Sequence, residues 1–309
     1  MIYLLFLISF LAAVVLTPVL RKFSIKYKLV DKPGEFKIHE AEISHLGGWG
    51  IWLGFIIALL FAVILKLMPF YQFVGLGLGS LVVIFLGFWD DLKWKKAGHP
   101  IIKLILQSLV GFLIIFILVK IGINLQFSIN SIIIALVAAF YIVGAMNAIN
   151  MEDGMDGLAG GLTLISLIGF VGLAFLSHNL LALVLVFSLA GSLIGFLIYN
   201  CHPASIFMGD NGSHFLGFLL AILAIIFTSH PSYNFKQFIG PILIIGLPVM
   251  DAVWVILRRL KEKKLPFVGD RRHLYDRIHQ RGVSVPKTVL ICYGIQVIIV
   301  LGGVLMYYL

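Results

Sequence analysis

The 309-residue chain predicts an all-α fold, a polytopic membrane bundle of about ten transmembrane helices, and three observations carry that expectation. Hydrophobic residues make up 61% of it and charged residues only 12%, against a charged share of about 25% in ordinary soluble domains. Apolar stretches recur at 2–20, 46–67, 72–88, 101–119, 129–147, 159–176, 181–198, 214–229, 238–257 and 288–307. Each is close to the roughly 20 residues that carry a helix across about 30 Å of hydrocarbon. Finally, 20 of the 23 Lys and Arg lie in or beside the odd-numbered connections, at 21–37, 93–103 and 258–287.

By the positive-inside rule the odd connections are cytoplasmic and both termini lie outside. The expectation is one multi-pass domain over residues 1–309 in the plasma (inner) membrane, with its active site on cytoplasmic loops. Topology and attraction to anionic lipid headgroups account for the net charge of +9. Nucleic acid is not an expected partner, because the basic residues flank apolar spans and form no separate basic domain.

The first span has no basic residue before it and meets Arg21 and Lys22 after it, so it reads as a retained helix. The first connection mixes turn formers with Asp31, Lys37, His39 and His45, closes on Gly47 and Gly48, and reads as a solvated charged loop. In the third span, Gly75 to Gly79 suits a close helix contact better than a nucleotide loop. Cys201 and Cys292 fall in a cytoplasmic connection and the last span, where no disulfide is expected.

All fourteen carboxylates gather in or beside the same odd connections. Acids are costly to bury, so acids collected at a membrane face serve protons, metals or substrates. Asp90 and Asp91 end the third span; as neighbours on a helix they point about 100° apart and take different partners. Lys103 and Gln107, four residues apart, share one face of the fourth helix. Asn147, Asn150, Asp153 and Asp156 recur every third residue, which fans them by about 60° per step on a helix. Gly154 and Gly157 can break that helix and let the four converge. With Glu152 between them, two amides and three acids without sulfur suit a hard, oxygen-seeking cation such as Mg²⁺ rather than zinc.

The next cytoplasmic run ends Met-Gly-Asp210-Asn-Gly-Ser, a turn that projects one fixed acid opposite that cluster. Asp251 follows Pro248 in the ninth span and carries two readings, a functional carboxylate or an ion pair with Arg258 or Arg259. In the fifth connection, Lys261, Lys263, Lys264, Arg271, Arg272 and Arg277 make a surface suited to a diphosphate. His273 and His279 lack the cysteines and spacing of a zinc site.

Together, GFWDD with Lys103 and Gln107, NAINMEDGMDGLAGG, PASIFMGDNGSHFLG, Asp251 before an Arg pair and a final D-R-x-H resemble one family over nearly the whole chain. It is the polyprenyl-phosphate N-acetylhexosamine-1-phosphate transferases of glycosyltransferase family 4, on the branch of the undecaprenyl-phosphate GlcNAc-1-phosphate enzymes. The resemblance implies transfer of a sugar 1-phosphate from a UDP-amino sugar to undecaprenyl or another polyprenyl phosphate, with release of UMP, at the start of cell-envelope polysaccharide synthesis. It implies Mg²⁺, or Mn²⁺ in its place, at Asp210 with Asn150 and Asp153. Asp90 and Asp91 would orient or deprotonate the lipid phosphate, with Lys103 and Asp153 beside them as catalytic groups. Asn147, Gly154, Asp156 and Phe207 would bind the donor around its uridine, and Arg271, Arg272 and His273 would contact the diphosphate and sugar. A homodimer is compatible with the family.

One departure bears on the donor. Family members that use UDP-GlcNAc often read His-x-His-His where this chain has His273-Leu-Tyr275-Asp276, so the amino sugar is open and Tyr275 or Asp276 becomes a candidate sugar contact. Another UDP-amino sugar or a UDP-MurNAc-pentapeptide donor are the alternatives within the same chemistry. A cation-coupled transporter is the rival from another class, but it would place its acids near the midplane of internally related halves, whereas here they crowd one face.

Overall fold

The computed structural model describes residues 1–31, 42–94, 100–120, 131–228, 235–264 and 272–309. Along the chain run α1 (Ile2–Lys26), β1 (Val30–Asp31), β2 (Ile43–Ser44), α2 (Gly47–Ile64) and α3 (Phe70–Trp89). A π-helical turn over Asp90–Trp94 continues α3. Then come α4 (Pro100–Lys120), α5 (Ser131–Glu152), α6 (Leu158–Leu176), α7 (Leu180–Asn200) and α8 (Gly209–Thr228). The chain closes with α9 (Phe235–Ile245), α10 (Leu247–Lys261), α11 (Leu274–His279) and α12 (Val285–Tyr308).

Among the described residues, eight helices are long and apolar enough to cross a membrane. A ninth span is the bent pair α9 and α10, and α4 contributes a shorter apolar stretch, Ile102–Ile117. Each of the ten expected spans therefore falls on helix. Burial then ranks the helices: α1 is 22% buried and lies at the periphery against α2 and α7, whereas α8 is 89% buried and touches α2, α3, α5, α6, α7 and α9. The most polar helix start in the molecule, Gly209-Asp-Asn-Gly-Ser-His, is thus carried by its central helix.

Two glycines allow the approach that matters for the site. A Cβ on Gly217 of α8 would collide with Ala145 O and Met146 Cα of α5, and one on Gly87 of α3 would collide with Asp210 O and Asn211 N. Backbones this close bring short polar side chains from three helices within reach of one another.

The first connection departs from the solvated loop expected of it. β1 and β2 pair antiparallel, and Ser44 bridges in parallel to Ile206 in the α7–α8 connection. Phe207 N donates to Ser44 O at 2.7 Å, Gly47 N to Phe207 O at 3.0 Å and Gly48 N to Met208 O at 2.9 Å. The free N–H groups at the start of α2 are therefore satisfied by the segment that leads into α8.

The ninth span also differs from the straight helix expected over 238–257. It is broken at Gly246, where φ is 45° and the two halves meet at 86°. A break inside a membrane needs its freed polar groups satisfied by protein. Gln296 of α12 does this from both sides: Leu247 N donates to Oε1 at 2.8 Å, and Nε2 donates to Ile244 O at 3.1 Å and Ser166 Oγ at 2.8 Å. Gln296→Leu orphans these groups and should destabilise the folded protein by about 1–3 kcal/mol, read as a lowered midpoint of thermal unfolding in detergent.

Candidate active site

The N-terminus of α8 is the point on which the predicted residues converge. Asn150, two residues before the end of α5, donates from Nδ2 to Asp210 Oδ1 at 2.8 Å and to Ser213 Oγ at 2.9 Å. From the other side, the π-helical turn presents its two acids to different partners, as their angular separation requires. Asp90 pairs with Lys103 of α4, and its carboxyl also meets that of Asp210. Asp91 accepts from Asp210 N at 3.2 Å, Asn211 N at 3.3 Å and Asn211 Nδ2 at 2.8 Å. A carboxylate on the first N–H groups of a helix is favoured both by those free donors and by the helix dipole.

These contacts divide the acid pair by role. The Asp91 side chain is 0% exposed and is engaged in holding the start of α8. Lys103 is 22% exposed, and Asp210 and Asn150 are half-buried. Asp90, Asp210, Asn150 and Lys103 are the groups that can meet a ligand.

One turn deeper, Lys103's face of α4 brings Gln107 to Asn147 and His214. Asn147 Nδ2 donates to Gln107 Oε1 at 2.8 Å, and Gln107 Nε2 donates to His214 Nε2 at 3.2 Å. Asn147 is therefore tied into a buried helix contact beneath the centre rather than set in its mouth.

The remaining two members of the Asn/Asp series face elsewhere, because α5 ends at Glu152 and Gly157, with φ 75°, starts α6 in the left-handed region. Asp156 Oδ2 accepts from His202 Nδ1 at 2.8 Å and Ala204 N at 3.0 Å. That bond ties the α5–α6 turn to the α7–α8 connection, together with Asn200, whose Oδ1 accepts from Gly157 N and whose Nδ2 donates to Ile206 O. Phe207 stands at the inner end of the same connection, half-buried. Among the described residues, Asp153 does not join Asp90 and Asp210 in a group whose ligand atoms all lie within 4.8 Å. Its charge instead acts on Tyr275.

The last connection approaches over the end of α5. Asp251 pairs with His273 Nδ1 at 2.6 Å, while its Oδ1 accepts from Leu274 N at 3.0 Å. Glu262 pins Arg272 at 2.9 Å and Lys264 at 2.7 Å, and the Lys264 hydrogen bond, with Arg272 nearby, holds its carboxyl below the usual range. Arg271 lies outside the described residues. Tyr275, a candidate sugar contact on sequence, is buried, and its hydroxyl donates to Met151 O at 3.2 Å. Burial and the Asp276 charge push that phenol well above its ordinary pKa.

Sequence reasoning missed two histidines. His45 donates no bond from Nδ1, which is buried 3.9 Å from Asp91 Oδ2, while its carbonyl accepts from Asn211 Nδ2. His214 follows Asp210 by four residues, a spacing that places both on one face of α8, and was legible to that extent.

The sequence profile of glycosyl transferase family 4 matches residues 73–228, which carry every group at the head of α8 except His45. The chain belongs to that family. Within this glycosyl transferase, similarity also extends beyond the matched core. It is 31% identical over 307 residues, 97% of this chain and 84% of the relative, to the probable undecaprenyl-phosphate N-acetylglucosaminyl 1-phosphate transferase of Bacillus subtilis (strain 168). It is 30% identical, over 89% of this chain and 81% of the relative, to the undecaprenyl-phosphate alpha-N-acetylglucosaminyl 1-phosphate transferase of Thermotoga maritima. It is also 33% identical, over 71% of each chain, to the phospho-N-acetylmuramoyl-pentapeptide-transferase of Streptococcus thermophilus (strain CNRZ 1066). The transferase family member is a multi-pass membrane protein by its helices and its kin.

Proposed function

We propose that the protein transfers an N-acetylamino-sugar 1-phosphate, GlcNAc-1-phosphate foremost, from its UDP-sugar to undecaprenyl or another polyprenyl phosphate at the cytoplasmic face of the plasma membrane. The observation that carries this reading is the meeting of Asp90, Lys103, Asn150 and Asp210 at the head of the central helix, where a span ends. A lipid phosphate at the bilayer surface and a soluble nucleotide can both reach such a place.

In the reaction, an oxygen of the lipid phosphate attacks the sugar-bearing β-phosphorus. The new P–O bond forms as the bond to the bridging oxygen breaks, and that oxygen leaves with UMP. Phosphoryl transfer needs alignment and charge neutralisation more than covalent help. Lys103 supplies a positive charge beside Asp90, which orients the acceptor phosphate or takes its proton. Arg272, held in place by Glu262, and His273 face the donor diphosphate and sugar, and the Asp156 turn with Phe207 borders the uridine.

The donor set fits a divalent cation of the hard class, since Asp90, Asp210 and Asn150 offer oxygen and no sulfur. Asp210, with Asp90 and Asn150, would hold Mg²⁺ or Mn²⁺. When bound, such an ion offsets the charge that builds on the diphosphate oxygens.

The test is purified protein in lipid with undecaprenyl phosphate and a panel of UDP-amino sugars, with Mg²⁺ or chelator. UDP-GlcNAc should give the fastest UMP release, abolished by chelation. A preference for UDP-MurNAc-pentapeptide would replace the donor, and no cation-dependent UMP from any donor would remove the function.

A further inference from the structure

Beyond the head of α8 lies a second buried polar cluster that the proposed chemistry leaves unused. Ligand atoms of Glu152, Asp251 and His273 all lie within 4.8 Å of one another, and the three come from α5, α10 and the residue that opens α11. Glu152 is 1% exposed, and Asp251, His273 and Tyr275 are each 6% exposed. At 1% exposure Glu152 itself does not meet a soluble donor, so it acts through its neighbours.

Those neighbours form one latch. Both oxygens of Asp251 are committed to the segment that opens α11, one to His273 Nδ1 and one to Leu274 N. With Nδ1 committed, Nε2 is the ring nitrogen left for a ligand. The carboxyl of Glu152 lies beside that of Asp251, within the same 4.8 Å group. Two residues on, the Tyr275 ring lies parallel to His273, with centroids 5.5 Å apart and planes 7° apart. Tyr275 occupies the space over Gly154 that a Cβ there would need, and its hydroxyl caps Met151 O, one of the free carbonyls at the end of α5. The His273–Tyr275 segment is thereby fastened at two points to the stretch that carries Asn150 and Asp153.

We infer that Glu152 and Tyr275 are positioning residues that lock the His273 segment onto the end of α5, setting His273 Nε2 and the adjacent Arg272 at a fixed distance from Asn150 and Asp210. This rests on the transferase reading, in which His273 and Arg272 meet the donor. Groups that orient a ligand-binding residue typically matter by tenfold to a hundredfold without touching the ligand. Tyr275 then replaces a candidate sugar contact by a structural one, which leaves sugar recognition on this segment to His273 and the half-buried Asp276.

Four proteins test the latch: wild type, Glu152→Leu, Glu152→Gln and Tyr275→Phe. Each is measured for KM of UDP-GlcNAc, KM of undecaprenyl phosphate and kcat, and for UDP-GlcNAc binding by calorimetry without acceptor. Glu152→Leu should raise the donor KM and Kd by about tenfold or more with the acceptor KM within about twofold, because only the donor-facing segment shifts. Glu152→Gln, which keeps the side chain's shape and can donate an amide N–H to Asp251, should restore the donor KM to within about threefold, and Tyr275→Phe should raise it by about threefold to fivefold. The latch is overturned if folded Glu152→Leu binds donor like wild type, if it shifts both KM values alike, or if glutamine fails to rescue. Should Glu152→Leu not fold, an unchanged donor Kd in Tyr275→Phe overturns it as well. Wild type that binds donor but releases no UMP would instead sink the transferase reading, with the binding comparison still deciding the latch.

Discussion

Asp210→Asn should lower UMP release at least about a hundredfold while the protein remains folded, because the charge that would hold the cation and face the diphosphate is lost at the point of reaction. The amide is nearly the same shape as the carboxylate, and Asn150 Nδ2 can still find an oxygen on it, so the head of α8 keeps its form. A normal thermal midpoint with activity reduced to this degree is the expected pair of readings. Near-normal turnover would remove Asp210 from the centre, whatever the fate of its neighbours.

The second large effect separates two adjacent acids. Asp91→Asn turns an amide N–H toward Asp210 N, Asn211 N or Asn211 Nδ2, groups that all donate to the carboxylate in the structure. Leaving such buried donors unpaired costs about 1–3 kcal/mol, and the displaced helix start should also lower activity about tenfold or more. Asp90→Asn should match that loss of activity, yet change stability less, since the lost ion pair with Lys103 is offset by relief of the facing Asp210 carboxyl. Thermal unfolding and UMP release, measured on both variants, check the contrast. Equal stability of the two would refute the division into a holder and a reacting group.

That division was half legible in the sequence. Helical angles require Asp90 and Asp91 to part, and four-residue spacing aligns Lys103 with Gln107; both relations are local, and the structure keeps them. The facing of Asn150 and Asp210 follows from two polar runs at the same membrane surface. The partners themselves come from tertiary packing, which periodicity does not encode. Asp156 takes His202, 46 residues away, and Ser44 bridges to Ile206, six helices further along the chain. Tyr275 reads as a free polar side chain until the exposed flank of Gly154 is seen to lie beneath it. The break in the ninth span was signalled by Gly246 and Pro248, but its stability depends on Gln296, which sits in an otherwise apolar last helix and was not connected to it. Residues 93–103 and 258–287 indicate a face by their charge, while the grip of Glu262 on Arg272 and Lys264 appears only in three dimensions.

The fate of the β-phosphorus tests the central claim most directly. UDP-GlcNAc labelled at that atom is incubated with the lipid-supplied enzyme, undecaprenyl phosphate and Mg²⁺, and the lipid and nucleotide fractions are counted. The account predicts label in the lipid as a diphosphate-linked sugar, with one unlabelled UMP released for each. Label retained in UDP, or released as free sugar phosphate without entering the lipid, would contradict it.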